Sequence, residues 1–168
     1  MDGLFKMTQF LNNFLKKLYK YSGYLAAIFL ILVAVFILIG ISSRIFGFYI
    51  RGLAEYSGYC MAASTFFALA FTFSEGGHIR ITLFLEKMKT DTKNIFEIWC
   101  LSIGSFFSGF LAFYFIKMLI ISYQFQERSE GADEILIWIP QIPVAFGSSI
   151  LFICIFHHLL LKILFKND

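Results

Sequence analysis

The sequence predicts an all-α integral membrane protein: four transmembrane helices preceded by an N-terminal amphipathic interfacial helix, with both termini cytoplasmic. Three observations lead there. The 168 residues are 59% hydrophobic and 20% aromatic with a mean hydropathy of +0.77, and only 15% are charged; a water-facing domain is about a quarter charged, so lipid must cover this one. Runs without a charged residue occupy 21–43, 56–74, 98–116 and 135–161, each close to the roughly 20 residues that a spanning helix needs. Basic residues gather at alternate ends of those runs. The same composition excludes soluble enzymes and disordered chains, the latter being poor in apolar residues. No run alternates with period two over about ten residues, as a membrane β-strand does.

Residues 1–20 read as the amphipathic segment. Leu4, Met7, Leu11, Phe14 and Leu18 recur at helical spacing, while Lys6, Gln9, Asn13, Lys16, Lys17 and Lys20 line much of the other side, a pattern that lies at headgroup level. A frayed basic tail is the alternative. The first apolar run is full length, unlike the short core of a secretory signal, so it is expected to stay attached. Residues 21–168 form the four-helix membrane domain, with spans at about 21–44, 54–76, 95–120 and 138–162. Gly76 and Gly77 end the second span cheaply. The third carries Gly104, Ser105, Ser108 and Gly109, small residues four apart in two overlapping registers that permit close helix approach. Pro140 and Pro143 place the start of the fourth near Trp138, since proline is tolerated in a helix's first turn. Trp99 and Trp138 fit interfacial anchors.

Orientation follows from lysine and arginine, which are in excess on cytoplasmic loops. Lys6, Lys16, Lys17 and Lys20, then Arg80, Lys87, Lys89 and Lys93, then Lys162 and Lys166 all fall on one side. The opposite side has Arg44, Arg51, Lys117 and Arg128 together with the acidic Glu127, Glu130, Asp133 and Glu134. The net charge of +3 is therefore a topology signal, and no nucleic-acid partner is inferred from it.

Candidate chemistry is thin. Cys60, Cys100 and Cys154 fall one per span with no CxxC, which suits small apolar filler rather than a disulfide-exchange centre. His157 and His158 are adjacent and so point to different faces of one helix, whereas haem ligation needs pairs projecting inward. Intramembrane ionisable residues mark solute pathways, and the midplane of every span lacks them. No catalytic, substrate-binding or metal-ligating residue and no cofactor is expected. What remains are charges at boundaries. Arg44, Arg51 and Glu55 should meet at the outer end of the first hairpin, either holding it together or presenting a docking surface. At the inner end His78 and Arg80 follow the glycine break, where they meet headgroups, helix carbonyls or a partner.

Taken in order, Arg44 closes span one, Glu55-Tyr56-Ser57-Gly58-Tyr59 opens span two, Gly-His-Ile-Arg-Ile at 77–81 closes it, and Trp138-Ile139-Pro140-Gln141-Ile142-Pro143 with Gly147 opens span four. This order and spacing, over about 20–160, resembles the small, Q-type membrane subunit of the tripartite ATP-independent periplasmic (TRAP) transporters. Within that family the overall run of sequence is most similar to the unfused small subunits of sialic acid (N-acetylneuraminate) systems. The resemblance implies a bacterial inner-membrane protein in which a periplasmic substrate-binding protein captures an organic anion. A large, M-type, elevator-like subunit then moves it with the sodium gradient, and this chain is the companion that braces the large subunit. It also implies matches for Arg44 and Glu55 at the outer side, His78 after span two, and Pro143 with Gly147 at the last span. Membrane lipids are the remaining partner. The charges expected to meet the binding protein are Arg44, Arg51, Glu55 and the loop from Glu127 to Glu134. The rival from another class is a self-associating channel or pore, which would need a polar stripe where only scattered residues such as Ser64, Thr65, Ser102, Ser105 and Ser108 are present.

Overall fold

The computed structural model describes residues 2–76, 90–131 and 134–164, with side chains for 12–76, 93–131 and 134–163. Among these residues there are four helices and no strand: α1 (Asp2–Ile45), α2 (Leu53–Ser74), α3 (Thr90–Gln124) and α4 (Trp138–Leu164). At 1.5 Å per residue they are about 66, 33, 52 and 40 Å long. Stretches within three of them, Asn12–Ile45, Lys93–Gln124 and Trp138–Ile163, are long and apolar enough to cross a membrane. By its 22 residues α2 has the length, but Ser57, Gly58, Tyr59, Ser64, Thr65 and Thr72 dilute its hydropathy.

That dilution has a structural reason. The helices form an open row, α1 against α2, α2 against α4 and α4 against α3, with α1 meeting α4 over a short stretch. α2 therefore has protein on two sides and buries Ala63, Ser64, Phe67 and Ala70, whereas α1 and α3 turn long apolar faces outward. A helix between neighbours can carry small and polar residues because those neighbours satisfy them. The Ser22 hydroxyl of α1 donates to the Phe67 carbonyl of α2 at 2.7 Å, and the Ser64 hydroxyl of α2 donates back to the Ala26 carbonyl of α1 at 2.9 Å. Gly23 fits beneath Phe71, whose ring a Cβ there would approach to 2.8 Å.

On the other side of α2, Gly147 of α4 sits where an added Cβ would lie 3.0 Å from the Phe66 Cβ and 3.3 Å from the Phe67 backbone nitrogen. Cys154 is fully buried, its thiol 3.6 Å from the Ala70 carbonyl. The α3–α4 contact uses the small residues of α3: Ser105, Ser108 and Ala112 are buried, and Gly109 leaves only 2.9 Å between a would-be Cβ and the Phe152 ring. Helix directions follow from these pairs. α2 runs antiparallel to α1, parallel to α4, and α4 antiparallel to α3, so Tyr19, Phe73, His157 and Lys162 gather at one end while Ile45, Leu53, Gln124 and Trp138 mark the other.

α1 is helical without interruption from Asp2, across the boundary expected at residue 20. Leu15, Leu18 and Tyr19 pack onto the core cluster while Lys16, Lys17 and Lys20 are exposed. Helical geometry explains this, because positions 15, 18, 19, 22 and 26 share one face. That face turns to the bundle, whereas Phe14 is exposed.

Substituting Gly147→Leu overpacks the α2–α4 contact and is expected to cost about 1–3 kcal/mol. Gly40→Ala, whose Cβ would come no nearer than 3.9 Å to Leu53, should leave stability unchanged or raise it by up to about 1 kcal/mol through helix propensity. Thermal unfolding in detergent separates the two; equal melting temperatures would remove the close-contact role of Gly147.

Candidate functional site: the outer end of the helix row

The features expected to carry function converge where α1 gives way to α2 and α3 to α4. α1 ends in a left-handed glycine, Gly47 at φ +73°, with the Phe48 amide donating to the Ser43 carbonyl at 3.0 Å, the C-terminal signature that satisfies the last carbonyls. A second left-handed glycine, Gly52 at φ +76°, turns the chain into α2. Between the helices lies a cavity of about 350 Å³ whose lining includes Phe36, Ile37, Ile41, Arg44, Tyr49 and Glu55. Arg44 and Glu55 thus share one cavity, while Arg51 sits exposed on the connection and outside that lining.

Glu55 reaches the second connection as well. Its carboxylate packs directly on Gly131, in the space a Cβ would take. The loop between α3 and α4 is folded back on itself by an isolated antiparallel bridge, Arg128 with Leu136. The Ser129 amide donates to the Ile135 carbonyl at 2.8 Å and the Ile137 amide to the Glu127 carbonyl at 3.0 Å. The Ser129 hydroxyl shares a 3.2 Å hydrogen bond with the Tyr59 hydroxyl of α2 and accepts from the Gly131 amide at 3.2 Å. Two contacts therefore tie the acidic loop to the first two turns of α2.

The acidic residues themselves divide. Glu127 accepts from the buried Ser122 hydroxyl at 2.7 Å. Glu134 lies 3.7 Å from Arg128 with both side chains well exposed, an arrangement worth little in stability but open to a partner. Glu130 is exposed. At the start of α4 the Trp138 ring packs edge-on to Tyr123 with centroids 5.4 Å apart. Pro140 occupies the first turn and Pro143 lies inside the helix. At the other end of the row, Gly76 adopts φ +75° immediately after α2. Gly77, His78, Arg80 and Asp133 lie outside the described residues.

Sequence reasoning missed two features of the inner end. Lys162 of α4 pairs with Glu97 of α3, both partly buried, and their approach to the facing ends of antiparallel helices was the available signal. Tyr19, fully buried, packs beside His157, while His158 packs edge-on to Phe73; the adjacent histidines do face different helices. Among the described residues no group of three His, Cys, Asp or Glu could hold a metal ion.

Removing the Glu55 carboxylate should loosen the acidic loop. In Glu55→Ala, amide exchange at Ser129 and Ile137 is expected to quicken roughly fivefold, the factor carried by about 1 kcal/mol. Hydrogen exchange read by mass spectrometry checks this, and unchanged rates would show that the loop folds without α2.

Comparison with curated proteins found no match, and comparison with solved structures found none. A family model described as tripartite ATP-independent periplasmic transporters, DctQ component, matches residues 33–164. That stretch takes in the C-terminal part of α1 from residue 33, all of α2, α3 and α4, and the α1–α2 and α3–α4 connections. It is a family of transporter components rather than of enzymes, and it implies assembly with other components of the same transporter. With its all-helical fold and membrane-length apolar helices, this chain belongs to the DctQ family, the small components of TRAP transporters.

Proposed function

We propose that this chain is the small membrane subunit of a sodium-coupled, binding-protein-dependent secondary transporter for an organic anion, with sialic acid as the substrate class. In this role it crosses the bacterial inner membrane four times with both termini cytoplasmic, α2 being the fourth span because α1 covers Ser64 while the exposed Thr65 bonds the Met61 carbonyl of its own helix. It braces the large, elevator-type M subunit and presents its outer end to the periplasmic binding protein.

The observation that carries the proposal is the absence of a polar path along the row. The fully buried polar residues of the described helices are serines and the tyrosine at position 19, and Ser22 and Ser64 spend their hydroxyls on neighbouring carbonyls. The buried polar atoms of Glu55, Trp138, Gln141 and His157 lie toward the ends of the row rather than along it. Among the described residues the charged groups lie toward the two ends of the row, with Lys117 about two turns inside the end of α3. A chain so built supplies surface rather than passage, which suits a scaffold beside a moving subunit. The exposed aromatic face of α3, with Phe106, Phe107 and Phe113, adds membrane-embedded area that resists tilting. The exposed Arg51, Glu130 and Glu134 at the outer end supply charges of both signs for a soluble partner, the kind of surface that steers encounter more than it adds affinity.

Purification of the tagged chain from its native membrane in mild detergent should bring down a large multi-span membrane protein in stoichiometric amount; recovery of a homo-oligomer alone would favour a pore. In the reconstituted transporter, Arg51→Glu or the double change Glu130→Lys with Glu134→Lys is expected to reduce uptake at low binding-protein concentration by about tenfold, with recovery at high concentration and a loss that deepens at low salt. Uptake equal to wild type across the whole concentration range would remove the docking role.

A further inference from the structure

The cavity between the outer ends of α1 and α2 is graded along the helix axis. Phe36, Ile37 and Ile41 line it on the side toward the middle of the bundle, and Arg44, Tyr49 and Glu55 line it toward the end. From Phe36 to Arg44 the change takes eight residues of one helix, or about 12 Å. The space beside Gly40 is open, for a Cβ there would meet nothing closer than Leu53 at 3.9 Å. At about 350 Å³ the volume lies at the small end of the roughly 300–1,000 Å³ typical of ligand sites. An apolar floor passing within two turns to a guanidinium and a carboxylate is the profile of one molecule, a phospholipid entering from the membrane interface.

We propose that this cavity holds the headgroup and upper acyl region of a phosphatidylethanolamine. The phosphate sits on Arg44, whose planar fork of donors suits phosphate oxygens, with the first turn of α2 adding the positive end of its dipole nearby. The ammonium lies toward the Glu55 side, and the chains leave along Ile37 and Ile41. Charge complementarity selects the headgroup: the lining, among the described residues, includes one cation and one carboxylate, which matches a zwitterion better than a purely anionic lipid. Phosphatidylcholine has the same charges, but its quaternary ammonium donates no hydrogen bond to a carboxylate. The proposal rests on the membrane reading of the fold. Bound there, the lipid would fill the splayed end of the first hairpin and couple α1 to α2 beside the acidic loop.

Native mass spectrometry of the full-length chain, stripped of lipid in detergent and titrated with palmitoyl-oleoyl phosphatidylethanolamine, phosphatidylcholine or phosphatidylglycerol, tests this. One phosphatidylethanolamine per chain should bind ahead of the other two lipids, with Arg44→Gln weakening it about tenfold and Gly40→Leu, which fills the space, abolishing it. Arg51→Gln, outside the lining, should bind as wild type. Equal binding of all three lipids, or phosphatidylethanolamine binding unaffected by Arg44→Gln, would overturn the proposal. So would competition by inorganic phosphate alone, which would identify a free-anion site, or loss of the lipid when the large membrane subunit is bound, which would identify a protein contact.

Discussion

The arrangement depends on how closely α2 is held between its two neighbours. In a lipid environment apolar area drives little association, because lipid tails are as apolar as the side chains they replace; packing distance and interhelical hydrogen bonds must supply the rest. α2 meets both needs with narrow surfaces. Toward α1 it exchanges serine hydroxyls for carbonyls, Ser64 onto Ala26 and Ser22 onto Phe67. Toward α4 it accepts the bare backbone of Gly147 against Phe66 and Phe67. The aromatic rings then fill what the backbones leave, Phe67 stacking on Phe29 of α1 on one side and meeting Phe146 of α4 edge-on from the other.

From that central position the ends of the row inherit their chemistry. Because α2 is parallel to α4 and antiparallel to α1, its first turn stands beside both outer connections at once. Glu55 and Tyr59, one helical turn apart, therefore reach the α3–α4 loop, while Arg44 and Glu55 enclose the cavity under the α1–α2 turn. That end of the row is consequently one assembly of two loops rather than two independent hairpin tips. At the opposite end of the row the same register sets Tyr19 beside His157 with tilted rings and brings Phe73 to His158, and one turn further the Glu97–Lys162 pair joins α3 to α4.

An open row differs in consequence from a closed four-helix bundle. A closed bundle buries an interior and exposes one convex surface, whereas a row buries only the seams and leaves two broad faces. Here those faces are aromatic and aliphatic along α1 and α3, and the charges carried by the described helices, such as Lys16, Lys17 and Lys20 of α1 and Glu97 and Lys117 of α3, lie toward the two ends of the row. For a component of a TRAP transporter, whose family assembles with further components, such a slab has area to give to a neighbour without losing its own seams.

Composition and pattern alone determined that the chain is helical and membrane-embedded, since charge-free stretches of spanning length have no other stable home and every backbone group in lipid must be bonded within its own helix. They also placed the ends of α2 and the start of α4 to within a few residues, because Gly76 and the prolines of α4 act through local backbone geometry. Where the helices lie beside one another was a tertiary decision. That Gly147 faces α2, that Glu55 of the cavity lining also reaches Gly131, that Leu15 and Leu18 face the bundle and Phe14 does not, and that Lys162 finds Glu97 all depend on the order α1, α2, α4, α3 across the row. In lipid nearly every face of these helices is apolar, so periodicity distinguishes no inward side; only the shapes of small and large residues fitting across three seams select it.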